Sequence, residues 1–99
     1  MNFEIAPKET EVQLNWDDAR LYCFSLDMDG KIGWRLPTKE ELNEIHRSDN
    51  DFKKDWYWSS TENSGYFAWV QYMFNGNQYY YSKGFGGYYV RAIRDLKDD

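Results

Sequence analysis

Ser25-x-Asp27-x-Asp29-Gly30 comes closest to a metal site. Alternating carboxylates followed by glycine open an EF-hand calcium loop, and Ile32 stands at that loop's apolar place. The loop needs Asp at its first place and a bidentate Glu at its twelfth, where this chain has Ser25 and Leu36. Pro37 also bars the helix that should follow at once. The segment reads as a turn, and no metal ligands are expected. Nucleophilic chemistry has two candidates. Ser59, Ser60 and Thr61 hold hydroxyls in a row, but activation needs a base oriented by a third group. The one histidine is His46, in an unrelated helix, and no orienting residue is evident. Cys23, the one cysteine, lacks a base for the same reason and reads as a packing thiol. No catalytic residue is assigned, no enzyme activity and no cofactor are expected.

The elements that must position these groups can be read in order. Residues 3 to 14 mix apolar and charged side chains loosely, with Val12 and Leu14 alternating with Gln13 as a short first strand. Asn15 is a good helix cap, and Asp17 and Asp18 suit the first turn. Trp16, Ala19, Tyr22, Cys23 and Leu26 then recur at helical spacing, which predicts a helix over 16–26. Trp34 to Leu36 is extended ahead of Pro37. Thr38 with Glu41 forms a capping box, so a second helix runs over 39–47 with Leu42 and Ile45 inward. Ser48 to Asp55 is polar and reads as the least ordered loop. Strand signals follow at Trp56–Ser59, Phe67–Phe74, Gln78–Ser82 and Tyr88–Ile93. Asn75-Gly76 is a hairpin signal in which both residues can take positive φ. Two helices followed by an antiparallel sheet make an α+β fold.

Ninety-nine residues allow one domain, 1–99. Twenty of them are aromatic, five being Trp. Each ring can bury roughly 150–250 Å², so the core is expected to be aromatic rather than aliphatic. The net charge of −5 is uneven: residues 1–62 carry fourteen acids and eight bases, whereas 63–94 carry Lys83, Arg91 and Arg94 and no acid. An acidic chain argues against nucleic acid as partner. No apolar run approaches the ~20 residues of a membrane span, and the start lacks a signal-peptide pattern. With one unpaired cysteine, these features lead to a cytoplasmic expectation.

Gly33-Trp34-Arg35-Leu36-Pro37-Thr38 and Tyr57-Trp58-Ser59-Ser60-Thr61-Glu62 carry a family resemblance. Trp16-Asp17-Asp18-Ala19 and Tyr22-Cys23 precede them, and Tyr89-Val90-Arg91-Ala92-Ile93-Arg94 follows. In this order they resemble a bacterial and phage domain of unknown function, also found as the C-terminal domain of the Legionella collagen-like adhesin. The resemblance spans about residues 14 to 95. It implies a compact C-type-lectin-like domain, similar to the formylglycine-generating enzymes, with two helices packed on a twisted, mostly antiparallel sheet. It implies a structural framework of Trp16, Trp34, Arg35, Leu36, Trp58, Trp69 and Arg91, with Trp34, Trp58 and Trp69 largely buried. Secreted members carry a second cysteine near the final strand, where this chain has Ala92. Formylglycine generation needs two cysteines and a longer chain. The Glu-Pro-Asn or Gln-Pro-Asp triplet of calcium-dependent lectins is also missing. Arg91 and Arg94, three apart in one strand, should face opposite ways, one of them pairing inside with Glu41 or Glu62.

Residues 63–94 hold eleven aromatics, and Tyr66, Tyr79, Tyr80, Tyr81, Phe85 and Tyr88 lie outside the framework. In a strand Tyr80 must oppose Tyr79 and Tyr81, so one face of the run cannot be core. Tyr beside Gly, Asn and Ser is the composition of adaptable binding surfaces. Tyr66, Tyr79, Tyr80, Tyr81 and Phe85 are therefore the expected binding residues. The expected function is non-enzymatic recognition of a protein partner, with a phage or mobile-element inhibitor of a host factor as one setting. A carbohydrate or glycosaminoglycan ligand, or a structural place in a larger particle, is the alternative.

Overall fold

The structure, a computed structural model, describes residues 1–96. Helix α1 (Trp16–Ser25) starts where Asn15 Oδ1 accepts the Asp18 amide at 2.9 Å, and it buries Trp16, Ala19 and Cys23. Helix α2 (Lys39–His46) opens on a reciprocal capping box. Thr38 Oγ1 accepts from the Glu41 amide at 3.1 Å, and Glu41 Oε1 accepts from the Thr38 amide at 2.8 Å. Two otherwise orphan amides are thereby satisfied. Leu42 and Ile45 are fully buried.

Among the described residues eight strands follow as β1 (Phe3–Ile5), β2 (Val12–Gln13), β3 (Trp34–Arg35), β4 (Trp56–Glu62), β5 (Phe67–Tyr72), β6 (Gln78–Ser82), β7 (Tyr89–Val90) and β8 (Ile93–Asp95). They form two sheets, not the single one expected. One has the order β1-β8-β3, the other β2-β7-β4-β5-β6. Every pairing is antiparallel except a single parallel contact, Tyr57 with Tyr89. The expected strand over 88–93 is broken. Its halves, β7 and β8, belong to different sheets, and Arg91-Ala92 is the crossing point. β1 was hidden in the sequence because a three-residue strand shows no period, and only its pairing with β8 defines it.

Pairing register sets the faces of the larger sheet. Trp58, Val70 and Tyr79 align across three strands, as do Tyr57, Gln71 and Gln78. The first face carries Trp58, Ala68 and Val70 into a core with Trp16, Ala19 and Cys23 of α1, together with Trp34 and Leu36. The second carries Tyr57 into a core with Leu42, Ile45, Phe52, Met73 and Ile93. Trp34 and Trp58 are 3% and 0% exposed, but Trp69 is only half-buried. Trp69 shares the second face beyond the reach of α2's apolar side, and Lys39 Nζ covers it 3.7 Å from the ring centroid. The 48–55 loop has no regular structure, yet Asn50 Nδ2 donates to the Ile45 carbonyl at 2.8 Å and Phe52 is buried, so it is pinned at both points.

The hairpin does turn at Asn75-Gly76, but as a five-residue connection between Tyr72 and Gln78. Gly76 alone takes a positive φ, +83°, and its amide donates to the Tyr72 carbonyl at 2.7 Å. Asn75 instead accepts the Asn77 amide on its side chain at 3.0 Å.

Candidate functional site

The first face of the larger sheet extends past α1, and there it is aromatic and open. Trp56 and Tyr72, paired across β4 and β5, stack with centroids 4.8 Å apart and planes 16° from parallel. Tyr79 lies 5.7 Å from Trp56, and Phe74 lies 5.9 Å from Tyr72. Tyr88 bridges onward, 6.1 Å from Trp56, 5.3 Å from Tyr81 and 4.7 Å from Phe85. Seven rings thus form one continuous surface. Phe74, Tyr79, Tyr81 and Phe85 remain 62%, 57%, 46% and 40% exposed.

The loop that brings Phe85 here is fastened on both sides. The Lys83 carbonyl accepts the Trp16 amide at 3.0 Å, and Gln13 Nε2 donates to the Gly87 carbonyl at 2.9 Å. The Phe85 ring rests on Gly87, where an added Cβ would come within 2.5 Å of Phe85 Cζ. Burial first, then Tyr81 and Asp55, raises the Tyr88 hydroxyl above its ordinary value, so it is neutral at physiological pH. The surface is presented already formed, which lowers the ordering cost of binding.

Of the expected binding residues, Tyr79, Tyr81 and Phe85 come together. Tyr80 does not join them: it points to the other face, 5.4 Å from Trp69 and 5.7 Å from Phe67. Tyr66 stands apart, 81% exposed in the turn before β5. Trp56, Tyr72, Phe74 and Tyr88 lie outside the expected set. Their signal lay in register, because a hairpin closing at residues 72 and 77 places Tyr72 and Trp56 on the Tyr79 side.

Charged framework residues find other partners than expected. Arg91, 3% exposed, donates from Nε to the Ala6 carbonyl at 2.6 Å, from Nη1 to Glu11 Oε2 at 2.8 Å and from Nη2 to Asp51 Oδ1 at 2.6 Å. These three acceptors satisfy the guanidinium, which burial would otherwise leave uncompensated. The Tyr57 hydroxyl donates to the same Glu11 oxygen at 2.6 Å, and burial, followed by that carboxylate, raises its pKa. Glu41, an expected partner of Arg91 or Arg94, instead holds Arg35, with two contacts of 2.8 Å. Arg35 also reaches Asp95 Oδ1 at 2.7 Å. Burial alone would raise the Glu41 carboxyl, but hydrogen bonds from Arg35 and Thr38 outweigh it and hold it low. Glu62 pairs with Lys83 at 2.8 Å, and Arg94 Nε lies 3.0 Å from Glu4 Oε1.

The hydroxyl row hydrogen-bonds its surroundings. Ser59 Oγ donates to the Trp69 carbonyl at 2.7 Å and accepts the Thr61 amide at 3.1 Å, while Thr61 Oγ1 accepts the Lys39 amide at 3.0 Å. Ser59 itself is fully buried. Cys23 is buried too, and burial pushes its thiol up to about 12, far from the thiolate a nucleophile requires. Asp27 Oδ1 accepts the Gly30 amide at 2.7 Å, closing the turn that resembled a calcium loop. Among the described residues no helix is long and apolar enough to cross a membrane.

An α+β domain presenting an open, pre-formed aromatic sheet face has the build of a binding module. The family model of the Lcl C-terminal domain matches residues 4–94, and the chain belongs to that family, that of the C-terminal domain of the Legionella collagen-like protein. The membership points to adhesin-associated binding. No curated protein matches the chain.

Proposed function

We propose that the domain is a non-enzymatic recognition module that binds a protein partner through the face formed by Trp56, Tyr72, Phe74, Tyr79, Tyr81, Phe85 and Tyr88. The supporting observation is that seven rings touch in series while four stay at least 40% exposed. Exposed aromatics are normally scattered, and a continuous patch of them marks an interaction site. Tyr and Trp bury much area at small entropy cost and keep a polar group for hydrogen bonding. In this reading the fold is C-type-lectin-like and used as a rigid platform. A buried, unpaired Cys23 supports a reducing compartment, and so a cytoplasmic setting. An inhibitor of a host factor, carried by a phage or mobile element, is the narrower form of the proposal; its support is the family resemblance and no single residue of the site.

A neutral carbohydrate is the second reading, favoured by the near-parallel Trp56–Tyr72 pair and by the adhesin association of the family. Polyanionic glycans fit less well. Lys83, Arg91 and Arg94, the bases of residues 63–94, are all held in ion pairs with acids.

The test is the double substitution Tyr79→Ala with Tyr81→Ala, followed by thermal melting, capture from host lysate and a glycan array. Capture is expected to weaken about thirtyfold, the equivalent of ~2 kcal/mol for lost aromatic anchors, with the melting temperature nearly unchanged. Undiminished capture by a folded variant would move the site elsewhere. Array binding lost with the two rings, without any protein captured, would select the carbohydrate.

A further inference from the structure

The outer edge of β6 is a second surface, distinct from the aromatic face. β6 is the last strand of its sheet, so one side of its backbone has no neighbouring strand. Which groups are free follows from the register. The β5–β6 pairs run without a shift from Phe67 with Ser82 to Gln71 with Gln78. Hydrogen bonds close both ends of this ladder: the Lys83 amide to the Tyr66 carbonyl at 2.9 Å, and the Tyr72 amide to the Asn77 carbonyl at 2.8 Å. Both bonds fall on the same alternation, in which residues 77, 79, 81 and 83 face β5. Gln78, Tyr80 and Ser82 therefore aim their amides and carbonyls outward. Of these outward groups only the Ser82 carbonyl has a backbone partner, the Phe85 amide at 3.1 Å.

Folded proteins ordinarily blunt such an edge with charge, proline or a bulge. Here none of these is present: residues 73–82 contain no charged side chain and no proline, and the β5–β6 register is unbroken. The strand Gln78-Tyr79-Tyr80-Tyr81-Ser82 is also nearly palindromic about Tyr80. An axis at Tyr80 pairs all three outward residues, 78, 80 and 82, whereas an axis at Tyr79 or Tyr81 pairs only two of them.

We infer that β6 pairs antiparallel with β6 of a second copy of this chain, with the two-fold axis at Tyr80. In that register the two Tyr80 residues exchange amide-to-carbonyl bonds, and each Ser82 amide meets the partner copy's Gln78 carbonyl. Each Gln78 amide shares the Ser82 carbonyl with Phe85. Tyr79 of each copy lies directly across from Tyr81 of the other, on the face that carries the aromatic patch, so the two patches become one. No like charges meet, because Lys83 falls opposite Asn77 and is already held 2.8 Å from Glu62. An isologous contact of this kind closes after two copies and does not propagate. One short strand buries less than the ~800 Å² per partner of a standard interface, so the dimer forms with rising concentration. The inference stands apart from the proposed recognition role, since it uses the strand's edge and leaves the ring faces open.

Sedimentation velocity on the full chain from micromolar to millimolar concentration, with residue-resolved amide exchange on the same samples, tests the pairing. The expected result is a monomer–dimer equilibrium in which the Tyr80 and Ser82 amides slow as dimer forms, while Tyr79 and Tyr81 are slow throughout. Tyr80→Pro removes an amide unused within the protomer, and Tyr80→Lys sets two ammonium groups on the axis. Each should weaken dimerisation by at least about tenfold. The exchange pattern of the unmodified chain decides the question even if a variant fails to fold. A monomer at every concentration overturns the inference. So does a dimer in which the Tyr80 amide stays fast, which would place the contact elsewhere, for instance on the exposed Leu21 and Phe24 of α1. Tyr80 protection that arises only on adding an extended foreign peptide would assign the edge to another protein and refute self-pairing.

Discussion

Arg91 and Glu11, eighty positions apart in the chain, meet at 2.8 Å with side chains only 3% and 4% exposed. Tyr57 and Lys53 converge on the same carboxylate, at 2.6 Å and 3.7 Å. Removing one member of such a pair leaves a buried charge uncompensated, at a cost of roughly 3–5 kcal/mol. Arg91→Ala should therefore destabilise the chain by that amount in urea melts. Replacing both with apolar residues should cost much less than the sum of the single changes. Additive losses in the double-mutant cycle would show that the two do not act as a pair.

Acid should unfold the domain through a defined set of carboxylates. Hydrogen bonds from Arg91 hold Asp51 low, those from Arg35 hold Asp95 low, and Glu41 is low once Arg35 and Thr38 outweigh its burial. A folded pKa below the unfolded one contributes stability that is complete above the unfolded value, ~4, and is lost as pH falls through the folded value. The melting temperature should be flat from about pH 7 to 5 and fall below about 4. Glu41→Gln should flatten that fall. Asp51 and Asp95 are well exposed, so Glu41 should carry the larger share. An unchanged acid limb in Glu41→Gln would remove it from the set.

Gly76 is constrained twice. Its φ is +83°, and an added Cβ would come within 2.9 Å of the His46 ring. Gly76→Ala should cost about 1–2 kcal/mol for the left-handed backbone alone, plus the clash. Adding His46→Ala should recover the steric part and leave the backbone part. Full recovery of the melting temperature in the double variant would mean that the φ penalty is negligible.

Cys23 should be inert in the folded chain. Burial pushes its thiol up to about 12, so almost no thiolate exists at neutral pH. Alkylation by iodoacetamide should proceed only at the rate of unfolding and accelerate with urea. Rapid labelling of native protein would place Cys23 outside the core.

Much of the scaffold was legible from sequence because its signals are local. Asn15 and Thr38 cap helices through residues three positions away, and Gly76 marks a turn by its own backbone. Those features, with the family segments, sufficed for both helices, three of the four expected strand regions and the burial of Trp34 and Trp58. Contacts distant in sequence were decided only in three dimensions. The choice of Glu11 and Asp51 for Arg91, the division of one expected strand between two sheets and the partly open Trp69 each depend on which surfaces meet. The same holds for the candidate surface. Sequence alone determined that Tyr80 opposes Tyr79 and Tyr81, since strand side chains alternate. Only the tertiary structure decided that Tyr79 and Tyr81 join Trp56, Tyr72, Phe74, Phe85 and Tyr88, because cross-strand register and a fastened loop bring those rings together.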